Sequence, residues 1–170
     1  MNNKLKIKLI KIHEDAILPC AAIEGDVGHD IYSVDNGTIE PGETKKISTG
    51  LKIADDIHLY LNTTDNDVVI DHNRNILMKI EGRSSLASKG IFPIGGIIDP
   101  TYRGEIKVIL HNAGKESYEY EKGNRVAQLV FYPVIANITK HDSLISFEEV
   151  KSDQVNNSIR GESGFGSSGS

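Results

Sequence analysis

The chain has 170 residues and a formal net charge of -5, with 19 Lys and Arg against 24 Asp and Glu. That length suits one domain with one core, and the acidic balance gives no electrostatic footprint for general nucleic-acid binding, so an anionic ligand has to be held by a local group of donors. A single cysteine, Cys20, excludes an internal disulfide framework. No apolar run is long enough to span a bilayer, and the N-terminal MNNKLKIKLIK lacks a signal-peptide core. The reading is a soluble protein of the cytoplasm or another intracellular reducing compartment.

The dominant period is two. Residues 4–12 alternate Lys with apolar side chains, the pattern of a half-buried strand. The same pattern returns in KKISTGLKIA, HLYLN, NILMKIEG, GEIKVILHN, ESYEYEKG and RVAQLVFYPV, separated by turn signals such as Pro41-Gly42, Asp99-Pro100, Asn112-Ala113-Gly114 and Lys122-Gly123-Asn124. Short strands at this spacing predict an all-β sandwich or barrel. One short helix is expected at residues 85–89, capped by Ser84 and closed by Gly90. Residues 59–76 are polar with a short apolar centre and read as a protruding hairpin or long loop. From residue 151 the periodicity is lost, and the Ser/Gly-rich stretch 151–170 reads as a tail appended to a domain of residues 1–150.

Three segments hold residue types suited to chemistry. In EGRSS, residues 81–85, a strand end meets a helix start, where free N–H groups favour an anion and Arg83 adds a planar fork for phosphate oxygens. An ordinary serine cap with a surface arginine accounts for the same letters. In GGIIDPTYRGEI, residues 95–106, paired glycines let backbone approach a flat ligand. There Asp99 either orients and deprotonates a water or merely starts a turn. The tail places Phe165 among glycines, behind Arg160 and ahead of Ser167. That suits a segment folding over a ligand, and an expression linker is the alternative. The six histidines show no metal-ligand spacing, one cysteine cannot build a zinc deaminase site, and no phosphate-binding GxxxxGK[ST] loop is present.

Taken together and in order, five segments resemble the motifs of the trimeric dUTP pyrophosphatase family: GDVGHDIYS at 25–33, GRSSLA at 82–87, GIIDPTYRGEI at 96–106, GNRVAQL at 123–129 and RGESGFGS at 160–167. The resemblance spans almost the whole chain and overturns the linker reading of the tail. It implies a jelly-roll-like β subunit that forms a homotrimer with sites at subunit interfaces, hydrolysing dUTP to dUMP and pyrophosphate. It further implies that Asp99 activates the water attacking the α-phosphorus, and that backbone at Gly96, Ile97, Ile98 and Lys107 reads uracil. Tyr102 would pack under the deoxyribose. Arg83, Ser84, Ser85 and Gln128 would contact phosphates, while Arg160, Phe165, Gly166 and Ser167 close over the nucleotide. Mg2+ would ride on the triphosphate, with Asp30 reaching it through water.

Three positions depart from the family pattern: Val27 for the usual Ala, Ser85 where Gly is common, and Asn124 for an acidic residue. Residues 59–76 look like an insertion relative to compact members. A solvated hairpin is the default there, and a grip for a protein partner is the alternative. The nearest enzymatic rival is a dCTP deaminase, which resembles this fold and shares the GRSS and IDP elements. That family needs a glutamate where this chain has Ile109, and isoleucine cannot carry a proton. A regulatory binding protein that has kept the fold is a rival from another class.

Overall fold

The computed structural model describes residues 4–54, 58–63, 66–68, 76–99, 101–133 and 148–149. The strands are β1 (Lys4–Lys6), β2 (Leu9–Lys11), β3 (His29–Tyr32), β4 (Gly37–Ile39), β5 (Thr44–Ile53), β6 (His58–Thr63) and β7 (Asn66–Val68). After them come β8 (Ile76–Glu81), the helical turn α1 (Ser84–Ala87), β9 (Ile91–Pro93), β10 (Ile97–Ile98), β11 (Glu105–Asn112), β12 (Tyr118–Tyr120) and β13 (Arg125–Pro133). Two four-stranded antiparallel sheets, β10-β8-β13-β3 and β2-β5-β11-β9, supply one core between them. Smaller sheets pair β12 with β4 and string β1-β6-β7. The architecture is almost entirely β, as the period-two runs predict, and jelly-roll-like, as the family resemblance implies.

Alternation decides which side chains enter the core. In β8, Ile76, Met78 and Ile80 are buried while Leu77, Lys79 and Glu81 are only half-buried. In β11, Ile106, Val108 and Leu110 face in, and the opposite face presents Glu105, Lys107 and Ile109. Each large apolar side chain so buried contributes about 1.5–3 kcal/mol. Thr49 and Asn112 are also buried, but neither is left without partners. Thr49 donates to the Ile106 carbonyl at 2.6 Å. The Asn112 amide donates to the Ile39 and Glu116 carbonyls, each at 2.8 Å, and its oxygen accepts from Gly114 N–H at 2.9 Å.

One expectation needs correction. The alternation in residues 4–12 predicts one half-buried strand, but the chain divides into β1, which pairs with β6, and β2, which pairs with β5. The apolar phase slips at Leu9-Ile10, so a single strand cannot keep all of these residues on one face. Ile10 and Ile12 are consequently about half exposed. Within residues 59–76, β6 and β7 do form an antiparallel hairpin, with Leu61 opposite Val68. Residues 64–65 and 69–75 lie outside the described residues, as does the proposed tail 151–170.

Candidate active site

The first cleft grows from the β8–β10–β11 corner. Gly95 and Gly96 take φ values of 71° and 96°, which side chains avoid. At Gly96 a Cβ would also lie 2.8 Å from the Ile80 carbonyl oxygen, so only glycine fits. Ile80 N–H donates to the Gly96 carbonyl at 2.8 Å and holds the turn against β8. Three residues on, the Asp99 carbonyl accepts from Tyr102 N–H at 2.9 Å and closes the next turn. The two readings of Asp99 are compatible, because its backbone shapes the turn while the residue also lines the cleft. The Asp99 carboxylate is exposed and has no hydrogen-bonding or ionic partner among the described residues. The Tyr102 hydroxyl donates to the Glu105 carbonyl at 3.1 Å, which folds the ring over Gly104; a Cβ there would sit 2.2 Å from the tyrosine oxygen.

Gly96, Ile97, Ile98, Asp99, Tyr102 and Lys107 all line this cleft of about 310 Å³, and Lys46, Ile80 and Ile109 help to close it. Glu105 anchors its floor. One carboxylate oxygen accepts from Gly50 N–H at 3.0 Å, where β5 bulges with φ 67°, and the other pairs with Lys107 Nζ at 3.1 Å.

The second cleft, of about 330 Å³, contains Asp30, Arg83, Ser84, Ser85 and Gln128, together with Asp26, Gly28 and Arg125. Here the helix expectation is corrected. α1 begins at Ser84, and Arg83 rather than Ser84 is the capping residue, with no side-chain cap hydrogen bond. The Ser84 and Ser85 hydroxyls are thus not spent on capping, and both residues are exposed beside the cleft. Gly90, at φ 81°, closes the turn as expected.

Asp30 is buried to 8% exposure and faces two cations. Arg83 Nε donates to one carboxylate oxygen at 3.0 Å, and Arg125 Nη1 donates to the other at 3.2 Å. Gln128 Nε2 donates to the Gly82 carbonyl at 2.7 Å, tying β13 to the backbone just before Arg83. Its amide lies so close to Gly28 that a Cβ there would come within 1.8 Å of the amide oxygen. Nearby, Tyr32 Oη and Cys20 Sγ stand 3.1 Å apart. That contact, followed by burial, pushes the Tyr32 pKa up to about 12.

Sequence reasoning missed Arg125 as a member of this cleft. Its place in GNRVAQL, three residues before Gln128 on a strand, was the available signal. Of the predicted site residues, Arg160, Phe165, Gly166 and Ser167 lie outside the described residues. The remainder fall into two groups that share no lining residue. A larger cleft of about 550 Å³, lined by apolar side chains such as Leu18, Met78 and Phe131, holds none of the predicted site residues.

Comparison with known proteins gives this arrangement its family. The dUTPase family model matches residues 60–169, well over half of the chain. The deoxyuridine 5'-triphosphate nucleotidohydrolase of Clostridioides difficile is 37% identical over 166 residues, covering 96% of this chain and 97% of that one. The chain belongs to the dUTPase family. Among solved structures, the Staphylococcus bacteriophage 80alpha dUTPase with dUPNHPP superposes with a TM-score of 0.68 at 24% identity, covering 97% of this chain and 99% of that one. A mutant dUTPase from phage phi11 of S. aureus, described with a structural Mg(II) ion, gives a TM-score of 0.59 at 19% identity, covering 90% of this chain and 99% of that one. These two likenesses speak for the fold.

Proposed function

We propose that this protein hydrolyses dUTP to dUMP and pyrophosphate by magnesium-assisted, in-line attack of water on the α-phosphorus. Such an activity keeps uracil out of DNA and supplies dUMP for thymidylate synthesis. The observation that carries the reading is the pairing of an unpartnered Asp99 carboxylate in a glycine-cornered cleft with a second cleft built from guanidinium, hydroxyl and amide donors. A carboxylate without a partner can take a proton from water. Donors fixed before the substrate arrives stabilise charge that develops on phosphate oxygens.

In this reading the backbone at Gly96, Ile97, Ile98 and Lys107 reads the uracil edge, and the Tyr102 ring packs under the deoxyribose and excludes a 2′-hydroxyl. Arg83, Ser84, Ser85 and Gln128 hold the phosphates. Arg160, Phe165, Gly166 and Ser167 of the tail 151–170 close over the bound nucleotide. A divalent cation neutralises charge on the triphosphate when bound. In this reading the triphosphate supplies most of its ligands. Asp30 would meet it through water; each carboxylate oxygen has a second lone pair beyond the one taken by a guanidinium.

A homotrimer with shared sites, as the family resemblance implies, is the assembly we propose, and two clefts that share no lining residue are compatible with it. Ile109 lines the Asp99 cleft on the outer face of β11. It offers no proton at the position where a deaminase needs one, which disfavours dCTP as substrate. The test is incubation with dUTP, dCTP, dTTP and UTP in the presence of Mg2+, with products identified by mass. Pyrophosphate released from dUTP alone is the expected result. Deamination of dCTP, or no turnover of any nucleotide, overturns the reading.

A further inference from the structure

We infer that Arg125 is a positioning residue for the hydrolysis, acting through Asp30 on Arg83 rather than on the nucleotide itself. The inference rests on the function proposed above and deepens it. The geometry begins with Asp30, whose carboxylate is nearly buried and bridges the two guanidinium groups through separate oxygens. Arg83 is held at a second point, because its Nη1 donates to the Arg125 carbonyl at 3.3 Å. With Nε and one N–H of Nη1 committed, Nη2 is the Arg83 nitrogen with neither N–H engaged among the described residues, and it is the one best placed to serve a phosphate oxygen.

The two arginines differ in exposure. The Arg83 side chain is 22% exposed and that of Arg125 is 48% exposed. The outer arginine thus caps the carboxylate that orients the inner one. Without Arg125, one oxygen of a nearly buried carboxylate loses its donor. Asp30 is then free to turn and draw a second nitrogen of Arg83 onto itself, because a carboxylate prefers the two-pronged guanidinium pairing. That rotation withdraws Nη2 from the cleft. A small misplacement of a group that positions substrate costs up to about 10²-fold in rate.

A double-mutant cycle on dUTP hydrolysis tests this, using Arg125→Met, Arg83→Met and the two together in the full-length protein. Arg125→Met is expected to lower kcat/KM by about 10-fold to 10²-fold, and Arg125→Lys, which keeps the charge but not the fork, by less. In the Arg83→Met background the Arg125 substitution should lower kcat/KM no further, because the group it positions is already gone. If the two effects multiply, Arg125 touches the nucleotide directly or serves only general stability, and the inference fails. An Arg125→Met protein with wild-type kcat/KM also overturns it. Should Arg125→Met not fold, the cycle is run with Arg125→Lys. Repeating the cycle on the binding of inorganic pyrophosphate separates the two levels of the reading. Absent dUTP turnover by the wild type sinks the proposed function, whereas multiplying effects on pyrophosphate binding sink the role of Arg125 alone.

Discussion

The Asp99 cleft takes every lining residue except Lys46 and Ile80 from the stretch 96–109, whereas the Asp30 cleft is assembled from three separated stretches, 22–30, 83–85 and 125–128. The first is held by backbone, through a glycine corner that no other residue fits and a turn closed by the Asp99 carbonyl. The second is held by charge, through one carboxylate shared between two guanidinium groups. A cleft fixed by backbone can leave its acidic side chain unengaged and available for proton transfer. A cleft fixed by mutual pairing has its donors already oriented and presents them to an anion at little reorganisation cost. Chemistry and grip are therefore separable by mutation.

The sharpest break in the comparison is Asp99→Asn. The turn uses the Asp99 carbonyl and not its carboxylate, so the fold should be unaffected. Turnover of dUTP should fall by about 10² to 10⁴, the usual cost of losing a general base. Affinity for a non-hydrolysable dUTP analogue, measured by calorimetry, should stay near that of the wild type. Near-normal turnover would move the base elsewhere.

Pairing the two regions across subunits gives the next largest effect. In the proposed homotrimer, Asp99→Asn would remove the chemistry and Arg83→Met the grip. If equal amounts are unfolded together and refolded, chains assort at random. A working site then needs its Asp99 cleft from an Arg83→Met chain and its Asp30 cleft from an Asp99→Asn chain. Each has a chance of one half, so about a quarter of sites should recover. If both clefts of a site belong to one chain, the mixture stays as inactive as its parents, even with mixed trimers confirmed by mass spectrometry.

The same contrast explains what the sequence could disclose. The Asp99 cleft was legible almost in full, since a local hairpin carries its residues in one contiguous motif with glycine and proline marking the corners. Its cross-strand neighbours Lys46 and Ile80 were not, because the pairing of β5 with β11 and of β8 with β10 is set by tertiary register. In the Asp30 cleft the individual residues were recognisable, but the partnership of Asp30 with Arg83 and Arg125 joins positions up to 95 apart in the chain. No local period encodes such a contact. The serine cap failed for a related reason. A hydroxyl before a short helix is a good cap in isolation, yet here the chain starts the helix at Ser84 itself. The split of residues 4–12 was visible only as a slip of phase at Leu9-Ile10, which a search for simple alternation passes over.

Within the Asp99 cleft, Tyr102 sharpens the distinction between shape and chemistry. Its hydroxyl is tied to the Glu105 carbonyl and its ring is folded over Gly104, so the ring acts as a fixed wall. Tyr102→Ala should narrow the preference for dUTP over UTP by about tenfold or more, the scale of steric discrimination in a pocket. Tyr102→Phe keeps the wall and should keep most of the preference. The check is the ratio of kcat/KM for the two nucleotides, and an unchanged ratio in Tyr102→Ala would confine the residue to packing.

The smallest effect is expected next to the Asp30 cleft, at the position that departs most in charge from the family pattern. Asn124 precedes Arg125, and an acidic residue there would invite an ion pair with it. In this chain Arg125 already turns to Asp30, and Asn124 serves the turn between β12 and β13 instead. Its side-chain oxygen accepts from Glu121 N–H at 3.1 Å, its N–H donates to the Glu121 carbonyl at 2.9 Å, and its carbonyl accepts from Ser33 N–H at 3.0 Å. A carboxylate oxygen can accept the Glu121 bond as well as an amide oxygen does. Asn124→Asp should therefore change stability by no more than about 0.5 kcal/mol and leave kcat/KM for dUTP unaltered. Asn124→Ala removes the acceptor and should cost about 1 kcal/mol, again without touching catalysis. Thermal unfolding of the two variants measures the difference. A gain in activity for Asn124→Asp would mean that the missing charge belongs to the phosphate-binding cleft after all, and that Arg125 answers to two carboxylates rather than one.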